Sequence, residues 1–587
     1  MSYRDELAQR RRAVIDAMAP NVTSTFGAHA LFAAEPYKEG AAGRVEEIVT
    51  STFGAQSTSP FAVAQMGCFD PFGAMFLLCR WHEQMTEKTR AHIKRVMTQD
   101  VHGRGNTENH WLMHYVAQFL ATERYTDTDI WWNGLPREVF QAEASRWILG
   151  TIERTARLGH HEYDSTDYHG WHVLPMIALA DYAQDKTVQR RARDMATLFI
   201  ADMALEYFKG GWAGGHAREG YRENTWTAIG CSATLMYLYF GGPDFGAKQT
   251  QQAMGPALTA FYEPPEILAA IANDREAPRV VKKTKAPRTI IRHVDEDAGP
   301  VLKTTFTSRS YALGTTQTGL PGAPAGPIDL VSWDLSWAGP KHAAKIVSCH
   351  PYIDPERFSA FLSELPQDIG RGVPAAKPYL QFADRLFGAS PYEQMMQHEN
   401  AAIILYRIPA GDAHPYVNLY LPYATRWLRK GAFVFGDTGA FYVMARLFGD
   451  VRWDCVEDAD YIKGWVVRLR GAQVGLVLEA VEKDGYGDLP SFAESFSIDS
   501  VDSDEETSPW RVKHTTQAGA LLEMTYDGEH RVNDEPIDYG AWKLYDAPEA
   551  QAELNSGVVR FAHGGESLTL DFGVDPDGEM IPMRVIG

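Results

Sequence analysis

The sequence predicts a multidomain chain, α then β: an N-terminal (α/α) toroid, an incomplete barrel of helical hairpins, followed by a C-terminal antiparallel β-sandwich-like domain. Three observations predict it. Apolar residues recur at helical spacing through most of residues 1–273. Over 274–587 the pattern changes to alternating and β-branched runs separated by Gly and Asp turns. A chain of 587 residues that is 45% hydrophobic can also fill two or more packed cores.

The helical elements follow in order. YRDELAQRRRAVIDAMA carries an apolar stripe, and similar patterns fall near 41–53, 72–99, 107–124, 136–157, 171–184, 187–208 and 224–240. Gly, Pro, Asn and Asp punctuate them. Many medium helices joined by short turns, without the repeat signature of a regular solenoid, favour a toroid of hairpins. The segment DREAPRVVKKTKAPRTIIRHV (274–294) has two prolines and a basic run and reads as a linker entering strands, so the boundary is placed near 273–285. Beyond it, VLKTTFTSRSYALGT, AAIILYRI, YVNLYL, AFVFG, FYVMAR, GWVVRLR, VGLVLEAV, LLEMTYDG, VVRFA and LTLDFGV read as strands of stacked antiparallel sheets. The block 351–395 reads as short helices inserted among them.

Composition bounds the function. The formal net charge of −20 argues against nucleic acid and anionic membranes as partners. It also requires a local basic site if the substrate is a polyanion. Aromatics make up 12% of the chain, which fits stacking on sugar rings and equally fits a large aromatic core. Cys68, Cys79, Cys231, Cys349 and Cys455 are widely spaced with no CxxC, against a disulfide framework or zinc knuckle. The stretch MSYRDELAQRRRAVIDAMAP has no apolar signal core, and no run of about 18 apolar residues follows. A cytoplasmic monomer or homodimer is the expectation.

Three polar clusters interrupt the apolar helices. In NTENHWLMHY (106–115), Asn106 or Thr107 is a natural N-cap, placing Glu108, Asn109 and His110 in the first turn of a helix. The positive helix end favours an anion there and a neutral His110 able to act as a base. His114 shares a face with His110 and reads as structural. HHEYDSTDYHGWH (160–172) is unusually dense in His, Tyr and acid for an inter-helix turn. Tyr168 and Tyr163 are candidate phenolic acids or bases, with His169 beside the first. GGWAGGHAREGYREN (210–224) combines close-approach glycines with Trp212 and Tyr221 as flat faces and His216, Arg218 and Arg222 as positive charge. In the β half, Gln397, His398 and Glu399 open a strand, and Arg426, Arg429 and Lys430 could project into a cleft. No cofactor is expected; the metal pairing conceivable in the β half is His398 with Asp437, without strong ligand spacing.

The order of these parts resembles the polysaccharide lyases built from an α/α toroid and antiparallel β-sheets, the heparinase II/III-like and alginate-lyase-like group. The resemblance rests on the architecture, on the Asn109-His110 pair, and on Tyr168 following it at a similar interval; Glu108 stands where a second Asn is often found. It implies β-elimination at a uronic-acid-containing oligo- or polysaccharide, giving a 4,5-unsaturated uronosyl product. Asn109, with Arg218 or His216, would neutralise the substrate carboxylate. Tyr168 or His110 would take the C5 proton and a Tyr would protonate the leaving oxygen. Glu108, His169, Trp212, His216, Arg218, Tyr221, Arg222 and His398 are the expected substrate contacts. With no evident export signal, exo action on short oligosaccharides is expected. Two alternatives stand beside it: a glycoside hydrolase using carboxylates from Glu108, Glu162, Asp164 and Asp167, and a non-catalytic glycan-binding protein.

Overall fold

The computed structural model describes residues 2–54, 67–101, 103–105, 107–217, 230–243, 252–286, 300–317, 331–339, 344–352, 390–458, 462–497, 500–504 and 509–575, with 385, 386, 388, 578 and 581. The first half is helical: α1 Tyr3–Met18, α2 Ala28–Ala33, α3 Ala41–Phe53, α4 Phe69–Trp81, α5 Glu87–Gln99, α6 Glu108–Arg124, α7 Arg137–Leu158, α8 Gly170–Tyr182, α9 Lys186–Glu206, α10 Cys231–Phe240, α11 Gly255–Thr259 and α12 Glu266–Asn273.

Their packing makes the toroid. Helix α2 meets α4, α4 meets α6, α6 meets α8, α8 meets α10, α10 meets α1, and α1 returns to α2. Helices α3, α5, α7 and α9 lie outside, each packed against members of that ring or against one another. This explains why α8 and α10 are apolar on nearly every face: residues 170–180 are all buried, as helices surrounded by others must be. The stretch 72–99 is two helices, because the Thr86 hydroxyl accepts from Thr89 N and starts a new one. Helix α9 stops at Glu206, and residues 207–208, which continue its apolar pattern, form β1 Tyr207–Phe208, paired with β2 Gly211–Trp212. Lys209 and Gly210 between them both have positive φ (46° and 95°), the conformation of a tight hairpin turn.

The second half is strand: β3 Arg279–Lys285, β4 Val301–Thr307, β5 Tyr311–Gln317, β6 Trp333–Trp337, β7 Lys345–Cys349, β8 Glu393–His398, β9 Ala401–Arg407, β10 Tyr416–Pro422, β11 Arg426–Lys430, β12 Phe433–Asp437, β13 Phe441–Asp458 and β14 Ile462–Glu482. Helix α13 Leu489–Ser495 precedes β15 Val501–Asp504, β16 Arg511–Thr515, β17 Leu521–Thr525, β18 His530–Val532, β19 Glu535–Pro536, β20 Tyr545–Ala547, β21 Ala550–Ala552, β22 Val558–His563 and β23 Glu566–Asp571. All described pairings are antiparallel. One large sheet runs β11-β12-β13-β14-β10-β7-β6-β5-β4-β3-β20-β21-β22-β23, with β8 and β9 joined to β14; β15–β19 form a second. The runs FYVMAR, GWVVRLR and VGLVLEAV belong to the long hairpin β13–β14, bent at an irregularity between Phe448 and Asp450.

Period-two alternation explains the two cores of this half. Along β9, Ala402, Ile404 and Tyr406 enter one core, and Ala401, Ile403 and Leu405 enter the other, beneath α13, β16 and β17. The core of the helical half also takes in Val281 and the far strands, through Tyr545, Val559, Phe561 and Phe572. The chain order of helices then strands therefore does not coincide with the partition of cores. Among the described residues, no helix is long and apolar enough to cross a membrane. Cys68, Cys79, Cys231 and Cys349 are free thiols.

Candidate functional site

The α6 N-terminus, the turn 159–170 and the segment 211–217 meet. Thr107 is the N-cap of α6, but its hydroxyl donates to Asn109 Oδ1 in place of capping a backbone N–H. Two carboxylates latch the helix to the turn reciprocally: Glu162 Oε2 accepts from Asn109 N at 3.0 Å, while Glu108 Oε2 accepts from His161 N and Glu162 N, each at 3.0 Å. The positive end of α6 is thus occupied by the protein's own Glu162. His172 lies between, with Nε2 3.6 Å from Glu108 Oε2 and 3.7 Å from Glu162 Oε2, and Nδ1 3.1 Å from Tyr168 O. Burial pulls its pKa down, but Glu108 and Glu162 outweigh that and leave it raised.

The turn is compact. Tyr168 N donates to Ser165 Oγ at 2.9 Å, and Asp164 is left-handed (φ 52°), aiming its carboxylate at the sheet. There it meets Lys283 Nζ at 3.0 Å, Lys285 Nζ at 3.5 Å and Lys303 Nζ. Lys283 also reaches Glu206 Oε2 at 2.8 Å and Asp202 Oδ1 at 3.3 Å, and Lys285 reaches Asp202 Oδ2 at 2.9 Å. All six side chains are buried. Burial alone would raise the Asp164 pKa; the three ammonium groups hold it well below the carboxylate range, and the three carboxylates hold Lys283 high. Within the basic run read as a linker, Arg279–Lys285 is accordingly a strand whose Lys283 and Lys285 face acids of α9 and the turn.

The third segment lies against the same turn. Ala217 N donates to Tyr163 O at 3.0 Å, His216 Nδ1 lies 2.7 Å from Asp164 O, and Trp212 Nε1 donates to Glu206 Oε2 at 3.0 Å. His216 also bridges to Val331 through paired backbone bonds of 2.9 Å. The rings of His160, His169 and His172 cluster, His160 being 5.4 Å from His169 and 5.3 Å from His172, with Trp212 4.7 Å from His169. Burial leaves His160 and His216 neutral and depresses His169 to about 4.

Exposure separates the candidates. Of the four proposed catalytic residues, His110 and Tyr168 are partly exposed; Asn109 and Tyr163 are buried. Burial, with Asp164 next to it, raises the Tyr163 phenol well above its ordinary range, which keeps it protonated and unsuited to act as the base. His110 packs edge-on against Phe69 (5.1 Å), and Gly105 lies so close that a Cβ there would stand 2.7 Å from the His110 Cβ. Asn109 Nδ2 is buried without a hydrogen-bond partner among the described residues, its Oδ1 being engaged by Thr107.

Of the expected substrate contacts, Glu108, His169, Trp212 and His216 are buried. His398 ends β8 opposite Ala401, before the hairpin turn into β9. Its neighbour Gln397 bonds Thr315 at 2.8 Å, whereas the Tyr163 hydroxyl meets Thr316. Consecutive strand residues face opposite ways, so His398 and the cluster lie on opposite faces of β5. Asp437 is held by Lys483 at 2.5 Å, and no described cluster of metal-ligating side chains joins it to His398. Arg426, Arg429 and Lys430 occupy β11, the outer end of the sheet, remote from β5 in strand order. His114 packs edge-on against Tyr115 and Trp132. Arg218, Tyr221, Arg222 and Asn106 lie outside the described residues, as does most of the block 351–395.

Sequence reasoning missed His160, His172, Asp202, Glu206 and the three lysines as parts of the site. A signal was present: Asp202 and Glu206 are one helical turn apart in the otherwise apolar run LFIADMALEYF, and Lys283 and Lys285 share one strand face.

No protein-family model and no curated protein matches the chain. Among solved structures, heparinase III is similar at 8% identity and a TM-score of 0.41, covering 86% of this chain and 81% of that one. The Streptomyces coelicolor A3 chondroitin AC lyase in complex with chondroitin sulphate is similar at 10% identity and a TM-score of 0.44, covering 95% of this chain and 87% of that one. The helix-then-sheet architecture that the sequence resemblance implied is the architecture that this chain adopts.

Proposed function

We propose that this protein is a lyase that cleaves a uronic-acid-containing oligo- or polysaccharide by β-elimination, acting from a chain end. The observation that carries the reading is that the latch between α6 and the 159–170 turn brings together two elements bearing the partly exposed proton-transfer groups His110 and Tyr168, with Asn109, buried beside His110, keeping an Nδ2 without a partner among the described residues. In the reaction the Asn109 amide hydrogen-bonds the uronate carboxylate and stabilises the enolate that develops as C5 loses its proton. His110 or deprotonated Tyr168 accepts that proton; the electron pair forms the C4–C5 double bond, the C4–O bond breaks, and a tyrosine hydroxyl protonates the departing oxygen.

The carboxylate geometry gives the hydrolase reading less support. Glu108 and Glu162 are committed to backbone N–H groups across the latch, and Asp164 to three lysines. Hydrolysis needs two carboxyl groups flanking a scissile bond, and three of the four candidates are buried in this way.

The test is a panel of uronic-acid polymers and oligomers, followed by ultraviolet absorbance of the new double bond and by reducing ends in parallel. Both signals should rise together on at least one substrate. Tyr168→Phe and His110→Ala should each lose about 10²-fold or more of turnover with unchanged unfolding, while Tyr163→Phe keeps turnover within a few-fold. Reducing ends without absorbance would replace elimination by hydrolysis.

A further inference from the structure

We propose that Glu108, Glu162 and His172 form a buried three-ligand site for one divalent ion of the zinc class, tying the start of α6 to the 159–170 turn. The inference does not depend on the lyase reading. Ligand atoms of the three side chains lie within 4.8 Å of one another, and all three residues are buried.

Three features point to a metal. First, His172 Nε2 is buried with no hydrogen-bond partner among the described residues, yet it faces Glu108 Oε2 at 3.6 Å and Glu162 Oε2 at 3.7 Å. A charge-assisted N–H···O bond would be about 2.7–2.9 Å. Bonds of about 2.0–2.2 Å to a tetrahedral ion instead separate the ligand atoms by roughly 3.3–3.6 Å, close to the two distances from His172 Nε2. Second, His172 Nδ1 lies 3.1 Å from Tyr168 O, the backbone-carbonyl contact that fixes a ligating histidine with its Nε2 lone pair toward the metal. Third, the carboxylate oxygens that face His172 are held in place by backbone N–H bonds of 3.0 Å, Glu108 Oε2 by His161 and Glu162 and Glu162 Oε2 by Asn109, and ligating carboxylates are in turn hydrogen-bonded. One imidazole and two carboxylates suit zinc and its neighbours, with a fourth position for water.

The nearby trio His160, Asp164 and His169 meets the same proximity criterion but is a poor cation site. Asp164 already faces three ammonium groups, which would repel a further positive ion.

The full-length protein would be purified from zinc-supplemented medium and its metal content measured, then dialysed against chelator and unfolded thermally with and without added zinc. We expect about one ion per chain, a lower Tm after chelation, and recovery with zinc. Glu162→Gln and His172→Gln should abolish both the stoichiometry and the recovery. Should those variants fail to fold, cobalt-substituted wild-type protein still decides the matter, because a tetrahedral nitrogen–oxygen site gives intense visible bands that zinc displaces. Wild-type protein without stoichiometric metal, whose Tm ignores zinc and which shows no such bands, would overturn the proposal and leave a proton on His172 Nε2 in the metal's place.

Discussion

Burial decides what each titratable residue can do. Tyr163 and Tyr168 are equivalent in sequence, five positions apart, but the first is enclosed between Asp164 and Thr316 while the second retains exposure. Glu393 shows the same principle away from the site. It is buried in the β core, accepts from Ser332 Oγ at 2.9 Å and from the Tyr406 hydroxyl, and burial raises its pKa to about 7 against those bonds. A carboxyl whose folded pKa exceeds its ordinary 4.5 binds more protons in the native state, so its contribution to stability falls as pH rises from about 4.5 to 7. Glu393→Gln should remove that slope, leaving the variant more stable than wild type at pH 8 by about 1–3 kcal/mol. Urea unfolding at pH 5 and pH 8 measures the difference, and equal pH slopes in both proteins would contradict it. None of this was legible in the sequence, where Glu393 is one acid in a strand; its burial comes from layers brought over both faces.

At the scale of elements, the helical periods near 41–53, 107–124 and 136–157 correspond closely to α3, α6 and α7, because an amphipathic stripe is a local property. The break within 72–99 was missed because Thr86 is an inconspicuous cap in a continuously periodic stretch. The strands FYVMAR and VGLVLEAV were visible, but their fusion into an 18-residue and a 21-residue hairpin was not, since pairing partner and register are non-local. The segment 211–217 depends on close approach. A Cβ on Gly215 would collide with Thr316 Oγ1 and stand 2.9 Å from Ser332 O. Gly215→Ala should therefore push the segment bearing His216 off β5 and cost about 1–3 kcal/mol, read as a lower denaturant midpoint. Gly439→Ala is a different control: its site is open, but its φ of 91° makes any cost one of backbone strain rather than collision.

Across the whole molecule, the helical layer and the sheet are joined by charge as well as by apolar packing. Asp164, Asp202 and Glu206 meet Lys283, Lys285 and Lys303 in a buried lattice, to which the Tyr545 hydroxyl adds a bond of 2.9 Å to Asp202. Removing one member strands the opposite charges in low dielectric, so Asp164→Ala should destabilise by about 3–5 kcal/mol, measured as a loss of unfolding free energy. The pH sign follows from the shifts. Asp164 and Asp202 are depressed below 3.8, so their contribution is present above that value and is lost as pH falls through the lower folded pKa. Lys283 is raised above 10.5, so its contribution is complete below that value and is lost only as pH rises through the folded pKa. The lattice should hold between about pH 4 and pH 10.

The sequence by itself determined the order of helices before strands and the polar character of the three clusters, because periodicity and composition are local. Only the tertiary structure decided that those clusters meet, that Tyr163 is enclosed while Tyr168 is not, that Arg279–Lys285 of the linker-like run is a strand with Lys283 and Lys285 buried, and that Glu108, Glu162 and His172 face one another. Each of these depends on charges and surfaces brought together from positions distant in the chain, and burial, which sets their protonation and their reach, exists only once the layers have closed.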